Sequence, residues 1–164
     1  MSLIARRAIP SVLMGCLVII VSTQVSGQQR TPVTVSRLYS GPDGQSHMGR
    51  IEVKFTPSAT YTYLEESESV QVTAAQFLRL PKGKVLDWHH PARRQYVVTL
   101  RGRGEVEFTA GQKFPLTPGR IVLAEDLTGK GHITRSTGSE DLVFFIVPLA
   151  DSAPAVPRAG LKPR

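Results

Sequence analysis

From residue 33 onward, the chain consists of short runs of β-branched and aromatic residues that are separated by glycine- and proline-rich turns. Runs of this kind at near-regular spacing predict β-strands. They span residues 33–39, 50–55, 61–64, 70–80, 85–90, 95–100, 105–109, 113–116, 121–124, 132–136 and 142–147. No stretch places apolar residues at helical spacing over a convincing length. The pattern therefore predicts an all-β fold, either a sandwich or a barrel.

The turns between these runs support the same prediction. Gly41-Pro42-Asp43-Gly44 follows the first run, and Arg101-Gly102-Arg103-Gly104 joins two later runs as a tight hairpin whose glycines can take positive φ. The run at 142–147 is almost wholly apolar, as expected of a strand in the core of a barrel. We therefore predict one β-barrel domain over residues 33–148.

The two ends of the chain differ from this middle region. Arg6 and Arg7 precede an apolar stretch at residues 12–21, and small residues follow at 25–27, a pattern typical of a secretory signal peptide. The stretch is too short and too weakly flanked to predict a spanning helix. We expect residues 1–27 to be cleaved, with an uncleaved anchor as the alternative. Residues 149–164 are rich in proline with little to bury, and we predict a disordered tail.

A signal peptide predicts a periplasmic or extracellular protein that contacts the membrane only through that segment. Its removal takes away Cys16, the one cysteine, so the mature chain can form no disulfide and has no thiol nucleophile or ligand. The full chain carries a net charge of +7. Loss of Arg6 and Arg7 leaves eighteen of the twenty Lys and Arg against thirteen Asp and Glu. The basic residues are scattered rather than clustered, so nucleic acid is not an expected partner.

Three of the four histidines lie in one segment of the chain. His89 and His90 precede the β-rich run that ends at Arg101-Gly102, and His132 follows the turn at Pro118-Gly119. Imidazole can serve as a metal ligand, an acid or a base near neutral pH. The segment therefore predicts where a site lies, without saying which reaction, if any, takes place there.

This segment resembles the cupin superfamily, which consists of small β-barrels of the jelly-roll type. The first cupin motif is a glycine, five residues, His-x-His, three or four residues, a glutamate, six residues and a glycine. Gly83 and His89 match its first part, and Gln95 and Gly102 match the spacing of its second part. The Pro-Gly turn followed by His132 is similar to the second motif. The resemblance covers roughly residues 33–148 and implies an antiparallel jelly-roll barrel, for which a homodimer is common.

The departures from the cupin motif concern the metal ligands that the family uses. Pro91 stands where the second histidine belongs, and Gln95 stands where the glutamate belongs. The resemblance thus implies a set of His89, His132 and Gln95 for a divalent metal such as iron, manganese, nickel or zinc. Two neutral imidazoles and a neutral amide bind a dication less well than a set that includes a carboxylate.

Strand periodicity offers a replacement for the missing carboxylate. Side chains alternate with period two along a strand, so Asp87 shares a face with His89. If both point into the barrel, Asp87, His89 and His132 form a two-histidine, one-carboxylate set of the kind that holds iron(II). Alternatively, Asp87 orients His89 or pairs with Arg93 or Arg94.

Arg94 and Gln95 are candidate ligand contacts at the start of the next strand. A guanidinium at the mouth of the barrel can bind a carboxylate or phosphate. The alternative for Arg94 is a solvated loop arginine that pairs with Glu105 or Glu107. Gln95 is either a ligand contact or a hydrogen-bonded amide of the core.

Glu125 and Asp126 precede the glycine-rich loop that leads to His132. One of these carboxylates can act as a general base at the site, or can orient His132. We select Glu125 as a ligand contact. The alternative is a charged turn at the end of a strand.

Two functions are compatible with these residues. The first is an exported module that binds a small molecule in the barrel, with at most a weak divalent metal site. The second is a metal-dependent oxygenase or isomerase that uses Asp87, His89, Gln95 and His132. The metal content of untagged protein distinguishes them.

Overall fold

The alternation of apolar runs and turns forms twelve strands in the computed structural model, which describes residues 30–150. The strands are β1 (Thr34–Ser40), β2 (Ser46–Glu52), β3 (Thr56–Pro57), β4 (Glu65–Glu66), β5 (Gln76–Leu80), β6 (Val85–His89), β7 (Gln95–Arg101), β8 (Gly104–Phe108), β9 (Gln112–Leu116), β10 (Ile121–Glu125), β11 (His132–Ser136) and β12 (Leu142–Pro148). Helical structure in this part of the chain is limited to a 3₁₀ turn at Thr109–Gly111. The all-β prediction is therefore confirmed.

Ten of these strands form two sheets. The larger sheet has the strand order β2-β1-β10-β7-β12-β5, and the smaller sheet has the order β6-β11-β8-β9. Most neighbours are antiparallel, as predicted, but β1 and β10 run parallel. Among the described strands, no ladder joins the two sheets, so hydrogen bonds do not close the barrel; two facing, mostly antiparallel sheets agree with the predicted jelly-roll architecture.

The main core lies between the two sheets. Alternate residues of β12 point inward, and Leu142, Phe144 and Ile146 are all buried there. They pack with Val106 from the smaller sheet and with Val122 from the larger one. Burial of apolar side chains from both sheets is the main source of stability for a domain without disulfides. The cavity described below opens from this core.

The connection from β2 to β5 departs from the prediction. The runs at 61–64 and 70–80 were expected to be strands, but the first is a turn and only Gln76–Leu80 of the second is a strand. β2 and β5 are the opposite edges of the larger sheet, so the chain must cross the width of that sheet between them. Residues 59–79 are all exposed along this crossing. Because their apolar side chains are not buried between the sheets, most of this segment does not form core strands.

The predicted ends of the domain are only partly covered by the described residues. Leu149 falls in the predicted tail, yet it is buried and forms a β-bridge with Val72, so the ordered domain continues past residue 148. The signal peptide and residues 151–164 lie outside the described residues. Within residues 30–150, no helix is long and apolar enough to cross a membrane.

A candidate ligand cavity

A cavity of about 410 Å³ lies between the two sheets, on the side where β5 and β6 form their edges. Most of its wall is aliphatic. The apolar lining residues are Leu38, Leu78, Leu80, Leu86, Pro91, Ala92, Val97, Val106, Leu116, Val122, Ala124, Phe144 and Ile146. The polar lining residues are Gln76, Arg79, His89, His90, Gln95, His132 and Thr134. A mostly apolar cleft of this size with a few polar groups is typical of a small-molecule site.

His89 and His132 converge in this cavity because β6 and β11 pair directly at these two residues. Residues that face each other on antiparallel neighbours place their side chains on the same side of the sheet. The two imidazole rings have centres 4.3 Å apart. The prediction that these two histidines meet inside the fold agrees with this geometry.

His132 is held by a buried carboxylate. Its Nδ1 donates a hydrogen bond to Oδ2 of Asp126 at 2.7 Å, and Ser46 Oγ donates to the same oxygen at 2.9 Å. Asp126 is 0% exposed. Its other oxygen, Oδ1, has no hydrogen-bond partner within the described part of the chain. Asp126 thus orients the ring of His132 and leaves its Nε2 as the nitrogen that remains available to the cavity.

His89 is held by the backbone instead. Its Nδ1 donates to the carbonyl oxygen of Asp87 at 2.8 Å, which again leaves Nε2 available. Burial lowers the pKa of the His89 imidazole below its usual range, and the neighbouring His132 lowers it further, while the bond to the Asp87 carbonyl opposes the shift. The ring is therefore neutral at neutral pH.

The loop before β11 is attached to the end of β6 by two contacts. His90 Nε2 bonds the carbonyl oxygen of Gly129 at 2.9 Å, and Lys130 Nζ lies 3.8 Å from the centre of the Trp88 ring. His90 is exposed, although it also lines the rim of the cavity. These contacts keep the loop against the strand that carries His89.

Gln95 and Pro91 also line the cavity, as the cupin motif implies for their positions. Gln95 begins β7, and Ala124 of β10 lies directly opposite it in the ladder. The structure therefore brings together three of the predicted residues, His89, His132 and Gln95. Whether any of them binds a metal stays a prediction.

Asp87 does not join this group in the structure. Its side chain is exposed, and Oδ1 accepts a hydrogen bond from the backbone N–H of Trp88, the next residue. Within residues 30–150, no three His, Cys, Asp or Glu side chains are grouped so that they could hold a metal ion. A divalent ion between His89 and His132 would therefore have the Gln95 amide as its further protein ligand, a poorer set than the family motif provides.

Arg94 and Glu125 lie on the other face of the larger sheet. Arg94 donates from Nε to Glu125 Oε1 at 2.7 Å, and Arg37 forms an ion pair with the other oxygen of Glu125. Neither Arg94 nor Glu125 lines the cavity. Arg94 was also considered a partner of Glu105 or Glu107, but these residues bond Lys113 and Arg135. A ligand contact by Arg94 or Glu125 is therefore not supported by their position.

The sequence reasoning did not select two residues that shape the site. The predicted ligand set contains Glu125 but neither Asp126 nor Ser46. Period-two alternation through Ala124, Glu125 and Asp126 would have favoured the last of these, since Ala124 faces the cavity. No local signal identifies Ser46, because it reaches Asp126 from a distant strand.

Comparison with known proteins gives similarity to solved structures alone: no protein-family model and no curated protein matches the chain. A cupin 2 conserved barrel domain protein from Leptotrichia buccalis is 15% identical over 77% of this chain and 44% of its own, with a TM-score of 0.36. A predicted oxalate decarboxylase from Thermotoga maritima is 18% identical over 71% and 93%, with a TM-score of 0.39. An RmlC-like cupin protein from Desulfovibrio desulfuricans is 16% identical over 57% and 97%, with a TM-score of 0.35.

The cupin resemblance found in the sequence thus recurs among solved structures. At these identities the likeness concerns the fold alone. With TM-scores below 0.5, it supports no conclusion about the ligand, the metal or the reaction of this chain.

Proposed function

We propose that this chain is an exported cupin-type protein that binds a small, largely apolar molecule in the cavity between its sheets. The observation that carries the proposal is the cavity itself, which is aliphatic over most of its wall and has two oriented imidazoles at one place. Apolar surface supplies affinity, and a few fixed polar groups supply orientation. Export rests on the pattern of residues 1–27.

Binding of a neutral apolar probe tests this proposal. N-phenyl-1-naphthylamine fluoresces strongly when it leaves water, so its titration reports occupancy of the cavity. Ala124→Leu adds bulk to the cavity wall and should weaken binding by about tenfold or more. Ile121→Phe adds bulk on the opposite face of the same strand and should leave binding within about twofold. Equal affinities for both variants would contradict the proposal.

A metal-dependent oxygenase or isomerase is the second candidate, because two imidazoles with their second nitrogens available converge in one cavity. Two metal–nitrogen bonds of about 2 Å each are compatible with rings at this separation. When bound, a divalent ion would polarise a ligand oxygen as a Lewis acid. Asp126 would keep His132 oriented toward it, and Asp87 would require a change of side-chain position to take part.

Metal analysis of untagged protein separates the two candidates. We expect substoichiometric metal in the natural sequence, because none of the described residues that line the cavity carries a carboxylate to offset the charge of a dication. Pro91 lines the cavity, so Pro91→His together with Gln95→Glu should restore a fuller ligand set and raise the metal content sharply. Stoichiometric iron, manganese, nickel or zinc in the natural protein, lost in His89→Ala, would favour the enzyme.

A further inference from the structure

A second cavity, of about 420 Å³, lies on the other side of the two sheets, where β2 and β9 form their edges. We call it the edge cavity. It has no lining residue in common with the cavity that holds the histidines. Beside it, the hydroxyl of Thr109 donates to the backbone carbonyl oxygen of Ser46, which connects the smaller sheet to the start of β2. The two cavities are therefore separate places in the fold.

The floor of the edge cavity is apolar. Phe108 is buried, and Met48 and Phe114 are partly buried where they pack against the main core. The guanidinium of Arg120 lies 4.9 Å from the centre of the Phe114 ring, a cation–π contact that helps to fix the position of that ring. Three fixed apolar side chains can contact the body of a small organic ligand.

The charged groups of the edge cavity are all basic. His47, Arg50 and Lys113 line it, and none of its described lining residues is Asp or Glu. His47 bonds Asp43 at 2.9 Å, and Lys113 Nζ bonds Glu105 at 2.6 Å. Within residues 30–150, Arg50 forms no ion pair and no side-chain hydrogen bond. The cavity therefore presents one positive charge that no carboxylate of this part of the chain offsets.

The strand register places Arg50 on the inner side of β2. Arg50 lies opposite Ser36, which is only 8% exposed and also lines the edge cavity. Residues that face each other on antiparallel strands share a side of the sheet. Glu52 shares this side by alternation, but it neither lines the cavity nor pairs with Arg50. The guanidinium of Arg50 can thus bind a carboxylate through two parallel hydrogen bonds at the mouth of the cavity.

We propose that the edge cavity is a second binding site, which takes an organic monocarboxylate with an apolar body. The carboxylate pairs with Arg50, and the body packs on Met48, Phe108 and Phe114. One unpaired cation matches a single negative charge, and the apolar floor favours an organic anion over an inorganic one. This site is independent of the binding function proposed for the histidine cavity.

Three probes test the two parts of this proposal: 2-naphthoate, 2-naphthamide and acetate. The two naphthyl probes share one planar body and differ in charge, whereas acetate has the charge without the body. In titration calorimetry at about pH 7, where the naphthoate is ionised, we expect the naphthoate to bind about tenfold more tightly than the naphthamide. Acetate should bind more weakly than the naphthoate by about tenfold or more, because it buries almost no apolar surface.

Variants assign the naphthoate to the edge cavity. Arg50→Gln keeps a hydrogen-bond donor but removes the charge, and it should weaken naphthoate binding about tenfold and bring the ratio of naphthoate to naphthamide affinity close to one. Arg93→Gln is the matched control, because Arg93 is exposed and lines neither cavity. It removes the same charge and should leave naphthoate affinity within about twofold. Ala124→Leu fills the other cavity and should also leave naphthoate affinity within about twofold.

The outcomes separate this site from the proposed function. Loss of naphthoate affinity in Arg50→Gln, with affinity kept in Ala124→Leu, would support the second site whatever N-phenyl-1-naphthylamine does. Equal affinities for naphthoate and naphthamide, or equal losses in Arg50→Gln and Arg93→Gln, would overturn it. Loss in Ala124→Leu alone would put the naphthoate in the histidine cavity and overturn the second site as well. A natural chain that binds no naphthoate below about 1 mM would overturn it and leave the proposed function unaffected.

Discussion

The polar groups on the two faces of the larger sheet differ in whether their hydrogen-bonding atoms are already paired, although most of these groups are largely covered from solvent. On the inner face, Gln95 lines the cavity near two imidazoles that each keep one nitrogen available. On the outer face, the side chain of Glu125 is only 6% exposed and binds both Arg37 and Arg94. Burial alone therefore does not distinguish a site from a structural cluster.

What distinguishes a site from a structural cluster is whether its polar atoms can still form a hydrogen bond with a ligand. Both oxygens of Glu125 are used by guanidinium groups, so a ligand would have to break ion pairs to reach it. The Nε2 atoms of His89 and His132 need no such rearrangement. Arg94 and Gln95 are adjacent in the chain, and the period-two alternation of a strand is enough to give them different roles.

The largest effect is expected from removing the carboxylate that supports the inner face. Asp126→Ala leaves the Nδ1–H of His132 without its acceptor in a buried place, whereas the hydroxyl of Ser46 can still donate to the carbonyl oxygen of Gly131 at 3.0 Å. The free energy of unfolding should fall by about 3 kcal/mol in urea titrations. Asp126→Asn keeps an oxygen and should lose less. Asp43→Ala, at an exposed turn, is the control and should change stability very little. A loss below about 1 kcal/mol for Asp126→Ala would contradict this role.

A pair of glycine substitutions sharpens the account of the inner face. Gly131 and Gly119 both have positive φ, 73° and 82°, so Ala at either position is strained. A Cβ at Gly131 would collide with the carbonyl of His89, whereas one at Gly119 would meet nothing nearby. Gly119→Ala should cost about 1 kcal/mol and Gly131→Ala about 2 to 3 kcal/mol in urea titrations. Only Gly131→Ala should also weaken binding of N-phenyl-1-naphthylamine. Unchanged binding in Gly131→Ala would show that the loop before β11 does not shape the cavity.

Substitution on the outer face should affect stability without affecting the ligand. Glu125→Gln removes the charge shared by Arg37 and Arg94 and should lower the free energy of unfolding by about 2 kcal/mol. The affinity for N-phenyl-1-naphthylamine should stay within about twofold. Glu107→Gln, which weakens the more exposed pair with Arg135, should cost about 0.5 kcal/mol. Loss of affinity for this probe in Glu125→Gln would show that the two faces do not act separately.

The smallest effect is a dependence of stability on pH. Burial first, and His132 second, lower the pKa of His89, so the folded state binds fewer protons than the unfolded state just below pH 6.5. The stability that neutral His89 contributes is present above about pH 6.5 and is lost as the pH falls through the lowered pKa. Metal-free His89→Phe should therefore lose less stability than the natural chain between about pH 7.5 and about pH 5.5. Parallel pH profiles for both proteins in urea titrations would contradict this.

Much of the candidate site follows from local rules. The resemblance of Gly83, His89 and Gln95 to the cupin motif implied that both polar residues face the inside of the fold, and both line the cavity. The period-two alternation of side chains along a strand places Asp126, rather than Glu125, on the cavity side of the sheet. It also places Arg94 and Gln95 on opposite faces. Asp87 is the exception: its strand is exposed, and its carboxylate bonds the next backbone N–H instead of turning inward. Strand periodicity predicts which side chains share a face of the sheet. It does not predict which of them form a hydrogen bond to a neighbouring backbone group instead of pointing into the cavity.

The sequence by itself determined the all-β class, the turns and the segment in which the histidines lie, because strand periodicity and turn chemistry depend on neighbouring residues. Only the tertiary structure decided that His132 pairs with His89 across β6 and β11, and that Ser46 of β2 reaches Asp126. The register between strands distant in the chain depends on the packing of the whole sandwich rather than on local preference. That register positions the two available imidazole nitrogens in one cavity while the Arg37–Glu125–Arg94 cluster is fully paired on the opposite face.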